Sequence, residues 1–147
     1  MKFLCDHHRQ HYIKDPQAAL NFWAKTLGMA RAKASDALWG EASLIYGNAY
    51  EAAQILLDTD SRSGRALTRY LQTATEFAFS LRKNTCVNEL GQLVALMREQ
   101  LRFRLSQHQL EICIDSLMGV ASLPEEDVDE WIDITLSMEA ARESTLH

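Results

Sequence analysis

Turn-forming residues are scarce in this sequence, and that scarcity limits what the chain can fold into. It contains six glycines and two prolines among 147 residues. A sandwich or barrel of many short strands needs a turn about every 8–12 residues, and most such turns use glycine or proline. Long helices need far fewer of them. Because 47% of the residues are apolar and 24% are charged, the composition is that of a globular domain and excludes a disordered or collagen-like chain.

Apolar residues recur at spacings of three and four along most of the chain, which is the pattern of a helix with one buried face. This pattern predicts six helices and no strand: 15–33, 36–58, 65–83, 87–105, 106–119 and a last one opened by Pro124. Asp15 and Ser106 are predicted N-caps. Residues 1–14 lack a clear period and are interpreted as a loop or a short irregular arm. We therefore expect an all-α fold, with this arm followed by one domain over residues 15–147.

Charge and cysteine usage restrict the classes of partner and the compartment. The net charge of −5 argues against general nucleic-acid binding, and no apolar run reaches the ~18 residues that a membrane span needs. Three well-separated cysteines indicate no disulfide framework, so we expect a cytoplasmic protein. Residues 61–104 carry eight basic and three acidic groups, and residues 105–147 carry one basic and ten acidic groups. The two stretches are either solvated helix faces or a bipolar surface, and the bipolar surface predicts salt-dependent association with a partner or with a second copy of the chain.

Segments in the first two of these predicted helices resemble a tetratricopeptide repeat. Three segments carry the resemblance: Trp23-x3-Leu27-Gly28, Trp39-Gly40-Glu41-Ala42 and Ala42-x3-Tyr46-x2-Ala49. The first has one residue more than the usual spacing, and no proline closes the pair of helices. Small residues at these positions let two helix axes approach closely, and the aromatic fills the gap to the next pair. The match covers residues 20–50, about a fifth of the chain.

The resemblance implies three stacked antiparallel helical hairpins in a right-handed, tetratricopeptide-like array. It also implies a non-enzymatic interaction module, an adaptor, chaperone or regulator, that binds a protein or peptide partner on a concave face. A generic α-helical bundle is the alternative fold, because alanine-rich hairpins share the same pattern. A self-associating protein with a homodimer interface is the alternative function.

The third predicted helix carries a second side that is not part of its main apolar stripe. Basic, aromatic and hydroxyl residues share that side, and they are the predicted binding residues: Arg65, Arg69, Tyr70, Thr73 and Phe77. Exposed aromatic and arginine side chains are frequent anchors of protein interfaces. We therefore expect this side to line a groove; the alternative is that Tyr70 and Phe77 pack on the neighbouring hairpin.

The segment near the start of the chain is the one candidate for metal or thiol chemistry. Four possible zinc ligands fall within seven residues: Cys5, His7, His8 and His11. The second half of a zinc site is missing, and no phosphate loop, nucleophile elbow or metalloprotease motif occurs. We expect no metal, no other cofactor and no enzymatic activity. A metal- or thiol-dependent protein built on this segment remains the further alternative.

Overall fold

The computed structural model describes residues 2–59, 64–122 and 130, and all regular structure among them is helical. The helices are α1 (Asp6–Lys14), α2 (Pro16–Ser35), α3 (Trp39–Thr59), α4 (Gly64–Lys83), α5 (Val87–Leu101) and α6 (Gln107–Ser122). The all-α prediction is confirmed for these residues. The helix predicted from Pro124 lies outside them, apart from Glu130. None of the described helices combines the length and the apolar character needed to cross a bilayer.

The predicted irregular arm contains a helix, so that part of the prediction was wrong. Helix α1 has no buried residue, and therefore no apolar stripe marks it in the sequence. Two contacts hold it against the rest of the molecule. The Tyr12 ring stacks on Phe22 of α2 with the ring centroids 4.7 Å apart, and the Arg9 guanidinium lies 3.6 Å from the Glu51 carboxylate.

Both predicted N-caps are present. The Asp15 carboxylate accepts a hydrogen bond from the Ala18 N–H at 3.1 Å, and Pro16 begins α2. Before α6, the Ser106 hydroxyl accepts from the Gln109 N–H at 3.2 Å, while the Gln109 side chain accepts from the Ser106 N–H at 3.1 Å. These reciprocal bonds form a capping box, which satisfies amide groups that a helix start leaves without partners.

Helix α4 lies at the centre of the described helices. It packs against α3, α5 and α6. Successive side-chain pairs show that α3 and α4 run in opposite directions, because Ser43 bonds Ser80 and Tyr50 bonds Tyr70. On α2, Trp23 Nε1 donates to the Thr73 hydroxyl of α4 at 3.0 Å. Helix α4 is therefore buried on more than one side.

Small side chains fill the contact between α2 and α3. Ala30, Ala42 and Ala49 are fully buried in the main core. Residues of this size let the two helix axes approach closely. The predicted close packing at Ala42 and Ala49 agrees with this burial.

Replacing Ala42 with leucine is expected to destabilise the fold by about 1–3 kcal/mol, because the larger side chain overpacks a filled core. Chemical denaturation of the Ala42→Leu variant measures this loss. Ala32→Leu is the matched control, since Ala32 is exposed on α2 and its replacement is expected to change stability by less than about 0.5 kcal/mol. Equal stabilities for the two variants would contradict the packing.

An ion pair joins the basic stretch, residues 61–104, to the acidic stretch, residues 105–147. Arg98 of α5 lies 2.8 Å from Glu111 of α6, with both side chains about half exposed. An exposed pair of this kind contributes less than about 1 kcal/mol to stability. The two stretches thus meet here without fixing the packing of α5 on α6.

Candidate functional site

The predicted binding side of α4 is mostly core, so the prediction of exposed anchors was wrong for three of the five residues. Tyr70, Thr73 and Phe77 are fully buried. Arg65 is exposed, and the Arg69 guanidinium lies over the Trp23 ring, 5.7 Å from its centroid. The physical reason is that α4 has helices on several sides, so residues off its main stripe still face neighbours. A role for Arg65 and Arg69 in binding stays a prediction.

Two buried polar networks account for the hydroxyl and acidic residues on this side of α4. The Tyr70 hydroxyl lies 2.7 Å from that of Tyr50 and 2.5 Å from Gln100 Oε1. Burial is the main reason that the pKa of each of these tyrosines lies above its usual range. Buried polar groups of this kind are costly unless they have partners, so the network fixes the packing of α3, α4 and α5.

The second network joins α2, α3 and α4 through a buried carboxylate. Arg31 Nε and its terminal nitrogen donate to the two oxygens of Glu76 at 2.9 and 2.8 Å. The Tyr46 hydroxyl also donates to Glu76, at 3.1 Å. Burial and the neighbouring Glu76 charge raise the pKa of Tyr46 above its usual range. These groups hold helices together, and only Arg31 among them is partly exposed, at 13% of its side chain.

A candidate site lies instead where residues 2–5 cross α3; we call these residues the Phe3 segment. Its backbone at Cys5 is extended, with φ −72° and ψ 160°. The Phe3 ring packs edge-on against Phe77, with the centroids 5.9 Å apart, and Leu4 is buried in a small cluster with Ile55 and other side chains. Two adjacent side chains thus anchor the segment on the helices, with a bend at Leu4.

Glu51 binds the backbone of the Phe3 segment. Its carboxylate accepts hydrogen bonds from the Phe3 N–H and, at 3.2 Å, from the Leu4 N–H. The Glu51 side chain is only 3% exposed, and Arg9 faces it from α1. A buried carboxylate needs such donors, because burial without hydrogen bonds or an opposite charge is strongly unfavourable. Glu51 on α3 therefore binds two consecutive backbone amides of this segment, which bends at Leu4.

Beside the Phe3 segment lies an open cavity of about 340 Å³ between α3, α4 and the start of α5. Its apolar walls are formed by Phe3, Leu44, Phe77, Leu81 and Cys86. Leu44 lines this cavity and is nevertheless 64% exposed, a high exposed fraction for a large apolar residue. The lining also includes one basic residue, Lys2, and one acidic residue, Glu89. A cavity of this volume has room for one or two apolar side chains.

The turn between α4 and α5 forms part of the cavity wall and is held in a strained conformation. Thr85 has φ 56°, the left-handed region that a β-branched residue rarely adopts. Hydrogen bonds from Cys86 N to Leu81 O and from Thr85 N to Arg82 O close the end of α4. The neighbouring Asn84 side chain donates to the Cys86 sulfur at 3.3 Å. These bonds fix Asn84 and Cys86 in the wall.

The candidate metal and thiol residues lie on or next to α1. The Cys5 sulfur lies 3.2 Å from His8 Nδ1, and His7 and His11 are exposed on the same short helix. Within the described part of the chain, no three histidine, cysteine or acidic residues are placed to share a metal ion. Cys113 is half-buried on α6, and burial raises the pKa of its thiol. A raised pKa disfavours the reactive thiolate.

Comparison with known proteins identifies no relative of this chain. No family model, no curated protein and no solved structure matches it. The site must therefore be interpreted from its own geometry: an apolar cavity, an exposed leucine beside it, and a buried carboxylate that binds backbone amides.

Proposed function

We propose that this protein is a non-enzymatic interaction module, in which the cavity beside the Phe3 segment holds an apolar side chain of a partner's extended peptide segment. One observation carries the proposal. Lys2 and Phe3 of the chain itself already line this cavity, and the backbone N–H groups of Phe3 and Leu4 are bound by a buried carboxylate. The surface thus has two parts that peptide recognition uses, which are a backbone acceptor and a side-chain pocket.

The chemistry of the cavity favours an apolar peptide over a polar small molecule. Its walls are mostly carbon and cysteine sulfur, and its volume of about 340 Å³ is at the lower end of ligand pockets. Leu44 at 64% exposure offers apolar surface outside the cavity, which an adjacent residue of the same segment would cover.

The tetratricopeptide-like array belongs to the same proposal. Helices α3 and α4 pack antiparallel, and α2 lies against both of them. In stacked hairpins of that family, peptide segments are held on the concave face. The small residues between α2 and α3 support this arrangement, in which the cavity would belong to the groove.

The proposal is tested by selecting, from a displayed random library, the peptides that bind the 147-residue protein. We expect enriched peptides to contain aromatic or large aliphatic residues. Their affinity, measured by fluorescence polarisation, is expected to fall about tenfold or more in Leu44→Lys, because a charge at the cavity mouth opposes an apolar side chain. The matched control is Ile112→Lys on α6, where an isoleucine with 53% exposure lies outside the cavity lining.

Two results would overturn the proposal. One is that no peptide is enriched, or that the enriched peptides bind Leu44→Lys and Ile112→Lys equally. The other is that sedimentation finds a dimer which Leu44→Lys dissociates and Ile112→Lys does not. That second result would assign the cavity to another copy of the chain, the alternative function expected from the sequence.

A further inference from the structure

We infer that the Phe3 segment is an internal ligand which a partner segment displaces, and that this partner segment carries an aromatic residue followed by an aliphatic one. The inference rests on the proposed function and specifies the partner's chemistry. The first observation that supports it is a glycine inside a helix. Gly47 lies in the middle of α3, where glycine is destabilising relative to alanine.

The Phe3 ring explains this glycine. A Cβ atom at position 47 would lie 2.5 Å from two carbons of the Phe3 ring, and the three nearest atoms it would meet all belong to that ring. The missing side chain thus forms a notch in α3 that an aromatic ring fills. The helix is locally weakened at the position where the aromatic side chain crosses it.

Glu51 lies one helical turn beyond the notch and binds backbone rather than side chain. Main-chain N–H groups are present in almost every residue, so this carboxylate accepts any segment whose backbone bends to direct two consecutive N–H groups towards it. Selectivity then comes from the two neighbouring side chains. The first enters the notch at Gly47, and the second enters the small cluster around Ile55 and Leu56, where Leu4 is buried. This pattern defines an aromatic–aliphatic pair.

The Phe3 segment is attached at one anchoring pair, Phe3 and Leu4, while the residues on either side of this pair have few buried contacts. Lys2 and Cys5 on either side of the anchoring pair are exposed, and α1, which follows, has no buried residue. Segments with few buried apolar contacts open at the lowest free energies in a folded protein. Exchange of this segment would leave the core of α2, α3 and α4 in place.

Displacement would join the cavity to the notch. Gly40 lines the cavity and Glu51 binds the segment, and eleven residues of helix between them span about 17 Å. An extended chain of about five residues covers that distance. One short segment could therefore fill the cavity, the notch and the carboxylate site together, which the internal segment does only in part.

The experiment uses a labelled peptide of residues 2–8 with serine in place of Cys5, and the full chain carrying Phe3→Ala and Leu4→Ala. This double variant keeps every receptor residue of α3. We expect it to bind the peptide about tenfold more tightly than the wild-type chain does, because its own segment no longer competes. A peptide with alanine at the phenylalanine position is expected not to bind. Adding Gly47→Leu to the double variant closes the notch and should abolish binding.

A second measurement uses the unaltered protein, so that the inference does not depend on the folding of a variant. Hydrogen exchange at the Phe3 and Leu4 amides is followed by NMR while a library-selected peptide is added. Faster exchange at both amides supports displacement. If the selected peptide binds with no change at these amides, and the labelled peptide does not prefer the double variant, the inference is wrong while the proposed function stands. If no selected peptide binds either protein, the proposed function fails as well.

Discussion

Replacing Glu76 with alanine is expected to destabilise the fold by about 3–5 kcal/mol, the largest loss we predict for one side chain outside the apolar core. The Glu76 carboxylate is 4% exposed and receives two hydrogen bonds from Arg31 and one from Tyr46. The Glu76→Ala change removes the charge that balances a nearly buried guanidinium. It also removes the acceptor for a buried hydroxyl. Chemical denaturation, monitored by circular dichroism, measures the loss.

An exposed ion pair provides the control for this prediction. Lys33 lies 3.8 Å from Glu41, with side chains 39% and 58% exposed. Water already solvates both groups, so Glu41→Ala is expected to cost less than about 1 kcal/mol. The double variant Arg31→Met and Glu76→Leu is expected to lose less than Glu76→Ala alone, because apolar replacement of both partners leaves no buried charge. Similar losses in Glu76→Ala and Glu41→Ala would contradict a buried network.

The second large effect is alkaline unfolding driven by three buried tyrosines. Burial is the first cause that raises the pKa of Tyr46, Tyr50 and Tyr70 above the ordinary value of 10.0. Below that value both the folded and the unfolded chain keep these protons, and the folded state is at full stability. Above it, the unfolded chain ionises while the folded chain does not, so stability falls as pH rises.

The expected slope is steep enough to measure. Each tyrosine that keeps its proton in the folded chain but loses it in the unfolded chain lowers the free energy of unfolding by about 1.4 kcal/mol per pH unit. Three such tyrosines together give about 4 kcal/mol per pH unit. Around pH 12 the accumulated loss reaches about 8 kcal/mol, comparable with the whole stability of a typical domain. We expect helix content to collapse between about pH 11 and 12.5.

An alkaline titration followed by both tyrosinate absorbance and circular dichroism tests this prediction. In a Tyr12→Phe background the absorbance reports only the three buried hydroxyls, since the chain has four tyrosines. We expect their ionisation to coincide with the loss of helix. In Tyr70→Phe the alkaline slope should fall by about a third, because one of three protons is removed. Ionisation of all three hydroxyls in a chain that stays helical would show that they are accessible.

Local sequence chemistry determined most of the helical framework of this protein. The starts of α2 and α6 depend on Asp15, Pro16 and Ser106, whose capping bonds involve residues at most three positions away. The spacing of apolar residues in α2 to α6 depends only on the helical period. Helix α1 lacks that period and was missed, although its first turn carries the acidic residue that suits a helix start.

Burial and the site were decided by the tertiary structure. Tyr70 and Phe77 lie off the main stripe of α4, and only the helices around α4 determine that they face core rather than solvent. The Phe3 segment and Glu51 are 48 positions apart in the sequence, so no local pattern joins them. One signal was available in the sequence: Gly47 within a predicted helix marks a place where something approaches closely. The approaching group could not be identified, because contact between distant segments depends on how the helices pack and not on the order of residues within any one of them.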